Sequence, residues 1–484
     1  MSEKGFLKHF AVISGGTAFN LFLGLITTPI ITRIVDPVEN GQHSIFVMYA
    51  NIAVIILLLG MDQALVRYYY IQEDTGYRRA LLFRCIRFPI ISTVVVAAIV
   101  IFLSITGIVS FEFEPIIMAL LCGYTLFQVL YRFGNNVVRL EYKTKLYSML
   151  NIILKASYVG IAVPLLLIIK KNYLLILCIA SMMSAMVVFI VSRYSQKSMW
   201  NYKNNKDSLC TISEKELIKY AFPLTISMGI TYLFEALDKI SLNHYCTYAE
   251  VGIYASTMTL VNIFAIIQTT FNTLWAPMAI EHYTKTPEDR SFYQKGNQAI
   301  TIVMFFLGLS LILCKDAFAI LLGEKYREAA YILPFLIFHP IMYTISETTV
   351  TGITFMKKTK MQTVIAAVAC VTNFIGNTLL VPRYGCQGAA ISTGLSYIVF
   401  FAMRTLISNR YFYVDFKLKK ITLLTVASCI YALYNTFVQF NVWSIIGYII
   451  CVFLLVVLYK DTVKWGLEYL IKTGKTVLSK RRNS

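Results

Sequence analysis

The sequence predicts an all-α polytopic membrane protein, and three observations lead to that fold class. Of the 484 residues, 57% are hydrophobic and only 14% are charged, whereas soluble domains carry about 25% charged residues. The mean hydropathy is +0.66. The hydrophobic residues are grouped in runs of about 20, which is the length that a helix needs to cross a bilayer. The same composition excludes disordered, fibrous and disulfide-rich secreted proteins.

About fourteen such runs follow one another along the chain. Their approximate bounds are 10–32, 44–66, 88–109, 115–134, 147–168, 172–193, 220–241, 252–276, 298–315, 329–353, 361–381, 387–408, 421–439 and 442–459. The runs do not alternate polar and apolar residues as the strands of a membrane barrel do. Because backbone groups in lipid must bond within their own segment, we expect each run to be a transmembrane helix. The first run is too long for a cleaved signal and is expected to stay in the membrane.

A repeated short sequence indicates that the chain contains two related halves. Residues 35–41 (VDPVENG) follow the first run, and residues 246–252 (CTYAEVG) follow the seventh. Each contains a Glu that we expect at the start of the next helix, where the helix dipole favours an acid, and a Gly that we expect in a tight turn. These residues are Glu39 and Gly41 in the first copy and Glu250 and Gly252 in the second. Two unrelated turns that happen to match are the alternative.

The repeat and the spacing of the runs predict how the chain is divided. Two parallel repeats of six helices imply two pseudo-symmetric lobes about a central cavity, and a polar, Lys- and Asn-rich segment separates them. We expect a six-helix lobe at 1–194, a cytoplasmic linker at 195–217, a second six-helix lobe at 218–410, two additional helices at 411–460 and a basic cytoplasmic tail at 461–484.

The charged residues predict the orientation and exclude several functions. Most of the 44 Lys and Arg residues flank the runs on one side, which predicts that both termini are cytoplasmic. Because these cations are divided among many loops, the net charge of +19 does not indicate nucleic-acid binding. The Cys and His residues are dispersed, so we expect no disulfide framework and no metal site. No nucleotide-binding loop occurs, and the outer loops are short, so we expect no catalytic residues.

Three segments carry a resemblance to a known superfamily. They are residues 28–41 (TPIITRIVDPVENG), 60–69 (GMDQALVRYY) and 381–390 (VPRYGCQGAA). The chain resembles the multidrug/oligosaccharidyl-lipid/polysaccharide (MOP) exporter superfamily, which includes MATE transporters, and within it the Wzx-type oligosaccharide flippases of polysaccharide biosynthesis. Pro223 and Asp238 resemble the seventh helix of that family, where Asp-Arg is commoner. Lys239 occupies the Arg position here and weakens any expectation of a guanidinium role.

The resemblance implies a transporter and not an enzyme. It implies that an undecaprenyl-pyrophosphate-linked oligosaccharide, such as an O-antigen repeat unit, moves from the inner to the outer leaflet by alternating access. The location would be the bacterial inner membrane, and a polysaccharide polymerase and chain-length proteins would be partners besides membrane lipids. No cofactor is implied apart from a coupling H⁺ or Na⁺. The alternatives are a multidrug or cation antiporter of the same fold, a murein-precursor flippase, and a polysaccharide polymerase or ligase, which would need a large outer loop.

Ionisable residues within predicted membrane helices are costly and are therefore candidates for function. Lys155 lies within the fifth run, with Asn151 one turn before it on the same face. We expect its amine to contact the substrate pyrophosphate, with a structural ion pair and snorkelling to the inner surface as alternatives. Arg67 and Arg33, at the ends of the second and first runs, are candidates for phosphate contact or simple surface anchors.

Polar residues on otherwise apolar helices predict the lining of a hydrated cavity. Thr17 and Asn20 of the first run are candidates for substrate binding, or for packing between helices. Four acidic residues are candidates for coupling transport to an ion gradient, with hydrogen bonding between helices as the alternative. They are Glu235 and Asp238 in the seventh run, Glu347 in the tenth and Asp62 near the end of the second.

Overall fold

A computed structural model of the chain describes Phe19 and residues 22–201 and 210–464, and these residues form helices without strands. Contacts between the helices divide them into two compact units. Unit 1 contains the described residues up to Ile266 together with Leu322–Lys325, and unit 2 contains Ile267–Leu321 and the described residues from Tyr326 onward.

Unit 1 is formed by nine helices and the beginning of a tenth. They are α1 (Phe22–Ile34), α2 (Pro37–Leu58), α3 (Met61–Tyr68), α4 (Thr75–Thr106), α5 (Pro115–Leu140), α6 (Thr144–Ile169), α7 (Tyr173–Ser195), α8 (Glu214–Tyr245) and α9 (Tyr248–Val261), followed by the first residues of α10 (Phe264–Lys285). Of the predicted linker at 195–217, residues 202–209 lie outside the described residues. The described residues 195–201 and 210–217 belong to unit 1, as do α8, which packs on α2 and α3, and α9, which packs on α2. The two predicted lobes depend on repeat symmetry, not on packing, and they stay a prediction.

Unit 2 contains the remaining helices. They are most of α10, α11 (Ser291–Leu313), α12 (Lys315–Leu322) except its last residue, α13 (Ala329–Leu336), α14 (Phe338–Thr349), α15 (Thr351–Phe355), α16 (Lys360–Tyr411), α17 (Leu418–Phe437) and α18 (Val442–Leu458). A short 3₁₀ helix at Glu324–Tyr326 has its first two residues in unit 1 and its last in unit 2. Within α16 the backbone leaves the helical conformation at Gly385, where φ is 52°. Two helices meet there, in agreement with the predicted runs at 361–381 and 387–408. The predicted tail at 461–484 lies outside the described residues from 465 onward.

The helices confirm the predicted fold class. Within the described ranges, nine helices are long and apolar enough to cross a membrane, and ten if one bent pair counts as a single span. The helices α1 and α18 are apolar but shorter. The count of fourteen spans therefore stays a prediction, whereas the all-α polytopic class is established.

Three predicted runs are interrupted in the structure. The run at 44–66 breaks between α2 and α3, the run at 252–276 breaks between α9 and α10, and the run at 329–353 consists of α13, α14 and α15. Proline explains the break between α13 and α14 in the run at 329–353, because Pro340 has no N–H to donate to the preceding turn.

Gly60 explains the break between α2 and α3. Its φ is +65°, and a Cβ there would lie 2.6 Å from the carbonyl oxygen of Ala221 on α8. Other residues adopt this backbone conformation at a cost, and the contact with α8 leaves no room for a side chain. The chain can therefore bend sharply while α8 packs directly against the bend.

The two copies of the repeated sequence lie against each other. Glu39 and Glu250 occupy the first turns of α2 and α9, as predicted. The expectation for the glycines was wrong, because Gly41 and Gly252 lie inside these helices and not in turns. A Cβ on Gly41 would lie 1.8 Å from the carbonyl oxygen of Tyr248. The glycines are therefore required for the close crossing of α2 and α9.

Substitution of Gly41 by Ala is expected to destabilise the protein by about 1–3 kcal/mol, because the added methyl group overpacks the crossing. The measurement is thermal unfolding of the purified protein in detergent. Gly160→Ala on α6 is the matched control, since nothing lies within 4 Å of the added Cβ, and it should leave stability unchanged or raise it slightly. Equal melting temperatures for the two variants would contradict the tight crossing.

A buried lysine joins the last two helices to the rest of unit 2. Lys315 is 0% exposed, and its ammonium group donates to the backbone carbonyl of Asn435 at 2.6 Å and to that of Val438 at 2.7 Å. These carbonyls lie at the C-terminal end of α17, where the helix leaves acceptors without helical partners and where a cation is favourable. Packing of α17 on α13 and of α18 on α11 completes the attachment.

Candidate functional site

Unit 1 contains a cavity of about 370 Å³ that we call the lysine cavity. Five helices contribute most of its polar lining. The polar residues are Thr27, Thr28 and Thr32 of α1, Asn40, His43 and Ser44 of α2, Asn151 and Lys155 of α6, Ser181 and Ser184 of α7, and Lys239 of α8, with Tyr124, Tyr158, Ser256 and Thr259 beside them. The structure thus brings the predicted residues Lys155 and Asn151 to one cavity.

The hydroxyl groups on α1 are satisfied locally and still offer acceptors. Thr28 donates to the carbonyl oxygen of Gly24 at 2.8 Å, and Thr32 donates to that of Thr28 at 2.9 Å. A hydroxyl that donates to its own helix keeps lone pairs for another donor. The α1 wall is therefore polar without a buried unpaired hydroxyl hydrogen.

The charges of the lysine cavity have one sign. Lys155 and Lys239 both line it, and no carboxylate does. Within the described part of the chain, neither amine has a carboxylate in ion-pair distance; the Lys155 amine lies 5.9 Å from the centre of the Tyr158 ring. Asp238 precedes Lys239 but is buried and accepts from the Tyr254 hydroxyl at 2.5 Å. Two ammonium groups that line one space without a carboxylate in its lining make that space suitable for an anionic ligand.

His43 is a further polar group of this cavity. Its Nε2 lies 2.8 Å from the hydroxyl oxygen of Ser181, and its ring stacks on Tyr158 with centroids 6.0 Å apart. The ring is therefore held between α6 and α7 and can exchange a hydrogen bond with a bound group through its other nitrogen.

A second cavity, of about 300 Å³, lies between α2, α5 and α8, and we call it the arginine pocket. It is lined by Ile55, Arg132, Ser227, Met228, Thr231, Tyr232 and Glu235. Ser227, Thr231 and Glu235 recur at every fourth residue of α8 and line this pocket together, whereas the predicted residue Asp238 does not line it. The Arg132 Nε donates to Asp62 Oδ2 at 3.0 Å, which places the predicted Asp62 in an ion pair at the edge of this pocket.

The remaining predicted residues lie elsewhere. Glu347, in unit 2, accepts from Arg404 at 2.8 Å, and both side chains are about nine-tenths buried. Arg67 is exposed at the end of α3, and Arg33 is exposed at the end of α1; neither lines the two cavities. Thr17 and Asn20 lie outside the described residues. The substrate-binding and ion-coupling roles of all these residues stay predictions.

Sequence reasoning did not name four further residues of interest as site residues, although it noted Lys239 at the Arg position of the family's seventh helix. Lys239 continues the α8 stripe one turn beyond Glu235, and this spacing was the available signal. Arg132 and Arg404 are cations inside predicted runs, which was also a usable signal. Nothing in the sequence singled out His43. Among the described residues, no group of His, Cys, Asp and Glu could hold a metal ion.

Comparisons with solved structures identify the fold. Two solved structures match almost the whole fold. Lipid II flippase MurJ in an inward closed conformation matches with a TM-score of 0.67 and 15% identity over 95% of this chain and 99% of that chain. An inward-facing MATE family transporter of the MOP superfamily matches with a TM-score of 0.57 and 12% identity over 82% and 94%. The chain therefore has the fold that these two transporters share.

The family follows from the sequence itself. An uncharacterized membrane protein of Methanocaldococcus jannaschii is 21% identical over 82% of this chain and 83% of its own length. The family named Polysaccharide biosynthesis protein matches residues 6–282. The chain belongs to this family and is a multi-pass membrane protein with a transporter fold.

Proposed function

We propose that the chain is a flippase that carries an undecaprenyl-pyrophosphate-linked oligosaccharide from the inner to the outer leaflet by alternating access. The observation that carries the proposal is the lysine cavity, where two ammonium groups face a space without carboxylates. A pyrophosphate diester carries about two negative charges, which two lysines can neutralise by charge-assisted hydrogen bonds. The hydroxyl and amide groups around them suit the oxygen atoms of the phosphates and the first sugar.

Membership of a polysaccharide biosynthesis family supports the choice of substrate class. A cationic drug, the substrate of the alternative antiporter, would be repelled by Lys155 and Lys239. A murein-precursor flippase shares the anionic headgroup, so the lysine cavity fits both kinds of lipid. The sugar must therefore be identified by experiment.

The cellular setting of the proposal is the bacterial inner membrane. We place both termini in the cytoplasm because the cations concentrate on that side of the predicted spans. In this setting a polysaccharide polymerase and chain-length proteins would take the product on the outer side. A coupling H⁺ or Na⁺ would provide the driving force, and Glu235 is the predicted acid that no described residue holds in an ion pair.

Deletion of the gene in its native host tests the proposal. We expect loss of a surface polysaccharide and accumulation of one lipid-linked oligosaccharide, identified by mass spectrometry of extracted lipids and reversed by the wild-type gene. Accumulation of a murein precursor together with cell lysis would instead identify the protein as a murein-precursor flippase. Unchanged lipid pools together with increased sensitivity to cationic drugs would overturn the proposal in favour of the antiporter.

A further inference from the structure

The lysine cavity and the arginine pocket are connected by polar side chains of α5. Tyr124 lines the lysine cavity and Arg132 lines the arginine pocket. Between them Gln128 donates to the Tyr124 hydroxyl at 2.7 Å. The spacing i, i+4, i+8 keeps the three residues on one helix face, and eight residues of helix span about 12 Å.

A second contact reinforces this connection. The hydroxyl of Tyr131, next to Arg132, donates to the Asn151 side-chain oxygen at 2.8 Å, and Asn151 lines the lysine cavity. Asn135 donates to the same Tyr131 hydroxyl at 3.3 Å. The face of α5 therefore offers hydrogen-bonding groups along the whole distance between the two spaces.

The two spaces differ in charge. The lysine cavity has two amines and no carboxylate, whereas the arginine pocket has one guanidinium and one carboxylate, with the hydroxyls of Ser227 and Thr231 and the ring of Tyr232 beside them. Arg132 is already paired with Asp62 through its Nε. A phosphate would be repelled by the Glu235 carboxylate, so this pocket is unsuited to the anionic part of the substrate.

The arginine pocket does suit a sugar. Adjacent hydroxyl groups of a sugar can donate to the Glu235 carboxylate and accept from the Arg132 guanidinium. Both contacts are charge-assisted hydrogen bonds. A pocket that combines such polar groups with an aromatic or apolar wall fixes the orientation of a neutral ligand. A ligand that occupies both spaces must extend about 12 Å along α5.

We infer that the arginine pocket is a carbohydrate subsite, in which Glu235 and Arg132 bind sugar hydroxyls while the lysine cavity holds the pyrophosphate. This inference rests on the proposed function. It gives Glu235 a contact role in addition to the predicted ion coupling. The two roles are separable, because sugar contact changes equilibrium binding without any ion gradient.

Binding of two lipids to the full chain in nanodiscs tests the inference. The probes are undecaprenyl pyrophosphate, which lacks sugar, and the glycolipid that the deletion strain accumulates. Glu235→Gln and Arg132→Gln are expected to weaken glycolipid binding about 10- to 100-fold and binding of the bare lipid less than about threefold. Arg139→Gln, an exposed position on the same helix, is the matched control and should change neither.

The outcomes separate the inference from the proposed function. Equal losses for both lipids, or no loss for the glycolipid, would overturn the carbohydrate subsite. If Arg132→Gln does not fold, Glu235→Gln still tests the inference. Glu235 forms no ion pair with a described residue, so we expect its substitution by Gln to leave the fold intact. If the wild-type protein bound undecaprenyl pyrophosphate no better than uncharged undecaprenol, the proposed function would fail instead.

Discussion

Replacing Lys155 and Lys239 together with Gln is expected to lower polysaccharide export at least about 100-fold while the protein remains in the membrane. Glutamine keeps most of the side-chain length and a hydrogen-bond donor but removes the charge. A hydrogen bond to a charged group contributes about 1.5–3 kcal/mol, so loss of two such bonds to a pyrophosphate has a large effect. The measurement is surface polysaccharide in the complemented deletion strain, with membrane abundance determined in parallel.

The control for this variant lies on the same helix as Lys155. Lys145 is exposed in the first turn of α6 and does not line the lysine cavity. Lys145→Gln should therefore leave export unchanged. Normal export by the double variant would remove both amines from the substrate path, and the single variants would show whether one amine contributes more.

Replacement of Arg404 by Met is expected to destabilise unit 2 by about 3–5 kcal/mol, because it leaves the Glu347 carboxylate buried without its partner. The guanidinium also donates to the Ser346 hydroxyl at 2.7 Å. It lies 5.6 and 5.5 Å from the ring centres of Tyr343 and Phe400. The measurement is unfolding of the purified protein in mixed micelles during an SDS titration.

A double variant distinguishes the charge effect from loss of packing. Arg404→Met combined with Glu347→Leu removes both charges, so it should be more stable than Arg404→Met alone. If the double variant were the less stable of the two, the ion pair would not explain the loss. The same comparison bears on the predicted ion-coupling role of Glu347, because a carboxylate neutralised by Arg404 must first lose that partner before it binds a cation.

The fold class could be predicted because membrane helices are recognised from the length and the hydropathy of their apolar runs alone. The breaks were harder, since Gly60 bends the chain where α8 approaches and no local property of the sequence reports that approach. The glycines of the repeat show the same limit. Gly41 was recognised as special, but a turn and a close helix crossing place the same demand on the sequence, namely the absence of a side chain.

The candidate site was predictable only in part. Lys155 was found because a cation inside an apolar run is costly wherever it points. Its partner Lys239 belongs to another helix, and only tertiary structure decides which faces of α6 and α8 meet. The pairing of Glu347 with Arg404 is of the same kind, because the two residues lie on different helices, α14 and α16.

The attachment of α17 through Lys315 has a consequence for experiments on transport dynamics. Because the ammonium group holds the end of that helix to α12, we expect the final helical hairpin to move together with the rest of unit 2. A spectroscopic label placed in the connection at 439–441 would accordingly follow the displacement of the entire unit. None of the residues that line either cavity belongs to this connection, so the label would replace no candidate binding residue.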